Sequence, residues 1–161
     1  MNDLLKWSKE EFGALQDYLG KEHHAISRTP FRREQVSLES KEIFNFIAVH
    51  LDKSFSEMLL ATIDRKGLTD VGVYKKAQVD RRVFSRLRSS PRYQPSRNTA
   101  IRLCLGMELT LDEILVLLSK AGFSLSYGKK DDLVLLYCIQ NGIYDINKIN
   151  EALRALGMDE I

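Results

Sequence analysis

The sequence predicts an all-α fold, and three observations indicate it. Apolar residues recur three and four positions apart along most of the chain, which is the spacing of one face of a helix. Capping boxes, in which Ser or Thr precedes Glu by three positions, occur at residues 8–11, 54–57 and 110–113, and this pattern begins helices. The chain has only three prolines, so long helices can form without interruption.

Composition indicates a protein of one or two small domains that requires no cofactor, metal or disulfide. Hydrophobic residues make up 44% of the chain and charged residues 29%, which is ordinary for a globular protein. Cys104 and Cys138 lie in apolar helical runs, so we expect buried thiols in a reducing compartment. His23 and His24 lack further ligands at metal spacing, and a solvated loop explains them more simply.

A cytoplasmic location without a membrane partner is expected. No apolar run approaches the roughly 20 residues of a membrane span, and residues 1–7 contain no secretory signal.

The first part of the chain, residues 1–36, is predicted to contain one amphipathic helix and a basic linker. The helix starts at Lys9 and ends near Gly20, and residues 21–35 show no periodicity. A second helix is predicted from a cap at Ser37 to about Leu51. Its apolar stripe consists of Ile43, Phe44, Ile47 and Leu51.

The central domain, residues 37–124, continues with three more helix starts. Ser54 begins a helix that Gly67 ends, with Phe55, Leu59 and Ile63 on its apolar stripe. Thr69 or Asp70 can cap a short helix to about Ala77. Residues 78–79 then leave room only for a tight turn before Asp80 caps the next helix.

The helix at residues 80–89 has an apolar side and a cationic side. Val83, Phe84 and Leu87 form a stripe that must face a core. The residues elsewhere on the cylinder are Arg81, Arg82, Ser85, Arg86 and Arg88. A short helix anchored from behind, with guanidinium groups in front, fits the DNA major groove.

Positive charge is concentrated around this helix. The net charge of the chain is only +2, but residues 65–102 contain eleven basic and two acidic side chains, and most of the basic ones are arginine. A segregated basic patch attracts polyanions, and arginine suits bidentate contacts with phosphate or guanine. The simpler alternative is that these arginines only solvate a helical domain.

Residues 73–87 resemble the Cro/C1-type (XRE) helix-turn-helix family. The loose family pattern is Leu-Ala-x-x-x-Gly-Val followed by Ser-x-x-x-Ile-Ser-x-Ile, and this chain has Val-Tyr-Lys-Lys-Ala-Gln-Val followed by Asp-Arg-Arg-Val-Phe-Ser-Arg-Leu. The resemblance continues through Pro95 and Ser96 to residues 109–115 and covers about residues 55–118. It departs from the pattern at Tyr74, where the family has a small residue, and at Gln78, where it usually has glycine. A third departure is the loop at residues 89–95, which is one residue longer than usual and lacks the Glu and Gly usual there.

The resemblance implies a lambda-repressor-like bundle that binds double-stranded DNA. The same stretch also looks like a module that recurs as an appended domain in assorted bacterial proteins, so attachment to another domain is an alternative. The leading hypothesis is a sequence-specific transcriptional regulator. The side chains expected to reach base edges are Arg81, Arg82, Ser85 and Arg86. Those expected to hold phosphates are Lys75, Arg88, Arg92, Arg97 and Thr99, the last two in the first turn of a helix capped by Ser96.

The last part, residues 125–161, is predicted to be a helical hairpin. Its first helix, with the apolar run 133–139, is started by Asp131 or Asp132 and should be covered on most sides. Asp145 caps the second, whose stripe is Ile146, Ile149, Leu153 and Leu156. The hairpin either completes the core or forms a homodimer interface. A protein partner on the hairpin or on the N-terminal helix is also open.

An enzyme is not expected, because the sequence has no glycine-rich phosphate loop, no H-E-x-x-H and no nucleophile elbow. The competing class is a non-catalytic interaction module, an adaptor or antitoxin-like protein that docks the basic helix on an acidic protein or on RNA.

Overall fold

A computed structural model describes residues 33–161, with side chains described at residues 41–49 and 51–161. The helix predicted at residues 9–20, most of the basic linker, and His23 and His24 lie outside the described residues. Within residues 33–161 the structure contains helices and no strands, which agrees with the predicted all-α class. The helices are α1 (Arg33–His50), α2 (Phe55–Arg65), α3 (Asp70–Lys76), α4 (Arg81–Ser89), α5 (Arg97–Gly106), α6 (Leu111–Lys120), α7 (Lys130–Gln140) and α8 (Ile146–Ala155).

The described residues fall into two units, one that includes residues 33–50 and one formed by residues 51–161. Helix α1 belongs to the first unit and starts at Arg33, four residues before the predicted cap at Ser37. The prediction of that start was wrong, because Arg, Glu and Gln at positions 33–35 are good helix formers and a serine can lie inside a helix. The predicted apolar side chains of α1, including Phe44 and Ile47, are exposed.

The predicted starts of the helices in the second unit are largely confirmed. Both capping boxes form, with Ser54 and Glu57 at α2 and with Thr110 and Glu113 at α6. Single side-chain caps also form as predicted at α3, α5 and α8, where Thr69, Ser96 and Asp145 accept hydrogen bonds from the first turn of each helix.

The core of the second unit is built around α5. Consecutive residues 103–107 of this helix and its cap are all buried, as are Ala100 and Ile101, so α5 is enclosed on nearly every side. Helices α3 and α6 pack against α5, while α2 packs against α6 and α4. Helix α3 contacts α5, and α4 contacts α2, so the placement of α3 relative to α4 depends on α2, α5 and α6.

The end of α3 lies very close to α5 where the C-cap residue Ala77 meets Gly106. A Cβ atom placed on Gly106 would lie 2.8 Å from Ala77 Cβ and 2.9 Å from the Ala77 backbone nitrogen. Real Cβ atoms do not pack at such distances, so the absence of a side chain at position 106 permits this contact. Ala77 itself is fully buried.

The hairpin formed by α7 and α8 packs on α6 and contributes to the same core. Leu135, Cys138, Ile139, Ile149 and Leu153 are buried together with residues of α2 to α6. Both cysteines are buried free thiols, as predicted, and burial raises the pKa of Cys104 to about 12.

The prediction for the start of α7 was wrong. The helix begins at Lys130, its N-cap is Lys129, and neither Asp131 nor Asp132 caps it. Asp132 is instead buried inside the helix, where it accepts a hydrogen bond from the backbone N–H of Ser126 at 2.7 Å. The carboxylate therefore serves a tertiary contact and not the helix end.

The apolar run of the hairpin is only partly covered. Leu133 is 41% exposed and Tyr137 is 64% exposed. Leu156, predicted to continue the buried stripe of α8, is exposed because it lies at the C-cap, where the backbone leaves the helix. These three residues line a groove of about 440 Å³, and a dimer interface at this surface remains a prediction.

Glu113 ties the start of α6 to the end of α2. Its carboxylate accepts from Arg65 Nη2 at 2.8 Å and from the backbone N–H of Thr110 at 3.0 Å, and Lys66 Nζ lies 3.9 Å away. The pKa of Glu113 is lowered from 4.5 to about 2. The hydrogen bond from Arg65 has the largest effect on it, and the hydrogen bond from Thr110 has the next largest.

Substituting Gly106→Ala is expected to lower the free energy of unfolding by about 1–3 kcal/mol, because the added methyl group overpacks the contact with Ala77. The effect opposes the gain of about 1 kcal/mol that alanine normally gives inside a helix. Urea denaturation would measure it. Gly128→Ala is the matched control, since its Cβ would meet only Ser126 Oγ at 3.4 Å. Equal stability of the two variants would show that the α3–α5 contact is not tight.

Substituting Glu113→Gln is expected to destabilise the protein most near neutral pH. A carboxyl group whose pKa is lower in the folded state stabilises the fold above its unfolded pKa of 4.5 and loses this contribution as pH falls towards about 2. The stability difference between parent and variant should therefore shrink over that interval in thermal melts at stepped pH. The control is Glu151→Gln, which removes an exposed carboxylate. A difference independent of pH would contradict the assigned ion pair.

Candidate nucleic-acid interface

The connection between α3 and α4 is a tight turn built around Gln78. The N–H of Gln78 donates to Lys75 O at 3.1 Å, and the N–H of Val79 donates to Tyr74 O at 2.9 Å, which ends α3. Gln78 has φ 51°, a left-handed conformation that costs a residue with a Cβ about 1–2 kcal/mol. Asp80 then caps α4, with its Oδ1 accepting from the N–H of Arg82 at 2.6 Å. A tight turn thus joins two short helices, as the sequence predicted.

Helix α4 is anchored by its apolar side. Phe84 and Leu87 are buried in the core, and Val83 is half-buried against it. The ring of Phe84 also contacts Tyr74 of α3, with centroids 5.7 Å apart and planes tilted by 49°. Tyr74 therefore contributes an aromatic contact between α3 and α4. The family that the sequence resembles has a small residue at this position.

The opposite side of α4 presents the four residues predicted to reach base edges. Arg81, Arg82, Ser85 and Arg86 are all exposed. Positions i, i+1, i+4 and i+5 of a helix lie within one arc of the cylinder, so the three guanidinium groups and the hydroxyl share a face. The predicted division of this helix into a buried side and an exposed side is confirmed.

Ion pairs divide the basic residues between positions 65 and 97 into two groups. Arg65, Lys76, Arg88 and Arg97 each pair with a carboxylate, and Lys66 lies near Glu113. Among the side chains that the structure describes, a second group forms no ion pair and no side-chain hydrogen bond. Its members are Lys75, Arg81, Arg82, Arg86 and Arg92. We call these five residues the unpaired cations.

The unpaired cations occupy neighbouring stretches of the chain around the turn. Lys75 is in the last turn of α3, three of the arginines are on the outer face of α4, and Arg92 is in the loop that follows α4. All five are exposed. A guanidinium or ammonium group without a protein carboxylate retains its full capacity to bind an external anion.

Three residues predicted to hold phosphates are engaged within the protein. Arg88 Nη1 lies 2.8 Å from Asp70 Oδ2, which joins the end of α4 to the start of α3. Arg97 donates to Asp132, a carboxylate that is only 1% exposed. Thr99 Oγ1 accepts from the hydroxyl of Ser96 at 2.9 Å, within the N-cap of α5.

The sequence did not predict that Arg102 and Asn147 form hydrogen bonds with Gln78 in the turn. Arg102 Nη1 donates to Gln78 O at 3.3 Å, and the side-chain amide of Gln78 donates to Asn147 Oδ1 at 3.1 Å. These two residues lie 24 and 69 positions from Gln78 in the chain. The one signal in the sequence was Gln78 itself, because a residue other than glycine at this position of the turn needs support.

Comparisons with known proteins add no further information about this interface. A scan against protein-family models gives no match for the chain, and searches among curated proteins and solved structures also give none. In the part of the chain that the structure describes, no helix is long and apolar enough to cross a membrane. The same part holds no group of three or more side chains able to ligate a metal ion.

Substituting Arg97→Met is expected to destabilise the fold by about 3 kcal/mol, because it leaves the buried Asp132 carboxylate without its cation. Chemical denaturation would measure the loss. Arg92→Met is the control, since it removes an exposed arginine that has no partner and should change stability by less than about 0.5 kcal/mol. Similar small effects for both variants would mean that the pair between Arg97 and Asp132 does not stabilise the fold.

Proposed function

We propose that this protein is a sequence-specific DNA-binding regulator in which α3, the turn and α4 form a helix-turn-helix of lambda-repressor-like type. In this proposal α4 lies in the major groove. Arg81, Arg82, Ser85 and Arg86 contact base edges, and Lys75 and Arg92 contact the phosphate backbone. The proposed activity is binding and not catalysis.

The observation that carries the proposal is the distribution of the unpaired cations. Carboxylates lie beside Arg65, Lys66, Lys76, Arg88 and Arg97, but no carboxylate pairs with any of the five unpaired cations, three of which are the arginines on the outer face of α4. A solvating surface would have no reason to separate its cations in this way. A surface that binds a polyanion needs them exposed and unpaired.

The rigidity of α4 also supports this function. Base readout requires side chains on an element whose position is fixed, because bidentate contacts tolerate little misplacement. Helix α4 is fixed by Phe84 and Leu87 in the core, by Tyr74, and by the ion pair between Arg88 and Asp70. Arg88 is better assigned to this support, and Arg97 to its ion pair with Asp132, than to phosphate contacts.

The test begins with selection of a preferred duplex from a random pool by the purified protein, followed by salt titrations of variants on the selected and on a random duplex. Arg92→Ala should weaken binding to both duplexes equally and reduce the salt slope by about one unit, because it removes one phosphate contact. Arg82→Ala or Arg86→Ala should mainly shrink the gap between the duplexes, by about 1–3 kcal/mol, because a contact with guanine discriminates between bases.

Lys130→Ala is the control for the loss of one exposed charge outside the interface, and it should leave both affinities nearly unchanged. If Arg82→Ala and Arg86→Ala lower both affinities in parallel, the basic helix is a nonspecific polyanion surface. The interaction-module alternative, with RNA or an acidic protein as partner, would then be favoured. If selection enriches no sequence, the regulator proposal is wrong.

A further inference from the structure

Arg102 behaves differently from the exposed arginines of α4. It lies within α5 and is half-buried, and its Nη2 donates to the carbonyl oxygen of Ile161 while its Nη1 donates to that of Gln78. Its Nε atom is buried and has no hydrogen-bond partner. A guanidinium group held in this way joins two distant backbone segments and is not presented to an external ligand.

One of these segments, residues 158–161, crosses between α5 and α8, and we call it the strap. Ile161 is buried in the core, and its N–H donates to Asn150 Oδ1 at 3.0 Å. Glu160 pairs with Arg154 Nε at 3.0 Å, and its carbonyl accepts from Asn98 at 3.4 Å. The strap is therefore bonded to both helices, and it fixes the guanidinium of Arg102 from one side.

The other segment is the turn that precedes α4. Gln78 must hold a positive φ there, and it is the single residue of the connection between α3 and α4 in that conformation. Its carbonyl is held by Arg102, and its side chain is held by Asn147 of α8. Helix α4 begins three residues later, so rotation of the backbone at Gln78 would reorient it.

We propose that Arg102 is a positioning residue that, seated by the strap, holds Gln78 in its left-handed conformation and so sets the orientation of α4. The strap is then a structural control point for the basic helix, acting through one guanidinium group. The consequence for DNA affinity rests on the proposed function, whereas the consequence for the turn does not.

The experiment measures native-state hydrogen exchange of the amides of Val79, Arg82 and Phe84 by NMR, in the full chain without DNA. Arg102→Met removes both donors but keeps an apolar stem, and these amides should exchange about tenfold faster, as expected when a hydrogen bond from a charged group is lost. Ile161→Ala, a milder change that loosens the strap, should act in the same direction. In the double variant the two effects should not add, because both act through one contact.

Gln78→Gly distinguishes a role of Arg102 in holding the turn from a general contribution of Arg102 to stability. Glycine adopts positive φ without strain, so Arg102→Met should accelerate exchange much less in this background. The matched control is Arg65→Met, which removes another arginine hydrogen bond, 2.8 Å long, that does not touch the turn. It should leave the three amides unchanged relative to global unfolding.

Unchanged exchange in Arg102→Met would overturn the proposal, and so would equal acceleration with and without Gln78→Gly. Acceleration in Arg102→Met but not in Ile161→Ala would overturn the part assigned to the strap. If the turn loosens as expected and the affinity for a selected duplex also falls about tenfold, both proposals are supported. If the turn loosens and DNA affinity does not change, the positioning role is supported and the proposed function of α4 is wrong.

Discussion

The close contact between Gly106 and Ala77 is the constraint on which the basic side of the protein depends. Ala77 is the C-cap of α3, so the point at which α3 ends is pressed directly against the most buried helix of the unit. The turn and α4 follow from that point. A side chain at position 106 would push the end of α3 away from α5 and would move everything attached to it.

Electrostatics adds a second level of organisation to this packing. The carboxylates of Asp70, Glu113 and Asp132 each pair with an arginine of another helix, and Glu108, in the turn after α5, pairs with Lys76 of α3. The lysine and arginine side chains in these pairs therefore stabilise the fold. The unpaired cations lie on the outer face of α4 and in the adjoining parts of the chain, and all of them are exposed to solvent. Exposed surface pairs contribute little stability, but Asp132 is buried, and its charge makes Arg97 necessary to the fold.

Two of the departures from the helix-turn-helix pattern, at Tyr74 and Gln78, have physical compensations. Tyr74 is too large for a close crossing of α3 and α4, but its ring packs on Phe84 and extends the core between them. Gln78 is strained where glycine would not be, and its carbonyl and side chain are both held by hydrogen bonds from other helices. In both cases a substitution that local sequence disfavours is accommodated by a tertiary contact.

The sequence by itself determined the helical class, the helix starts at Ser54, Thr110 and Asp145, and the buried and exposed sides of α4. These features depend on residues within one or two helical turns of each other, so spacing alone predicts them. Only the tertiary structure decided that Asp132 is buried with Arg97, that Leu133 and Leu156 are exposed, and that Arg102 supports the turn. Each of these depends on a partner or a neighbouring helix that lies far away in the chain, and helical periodicity carries no information about such partners.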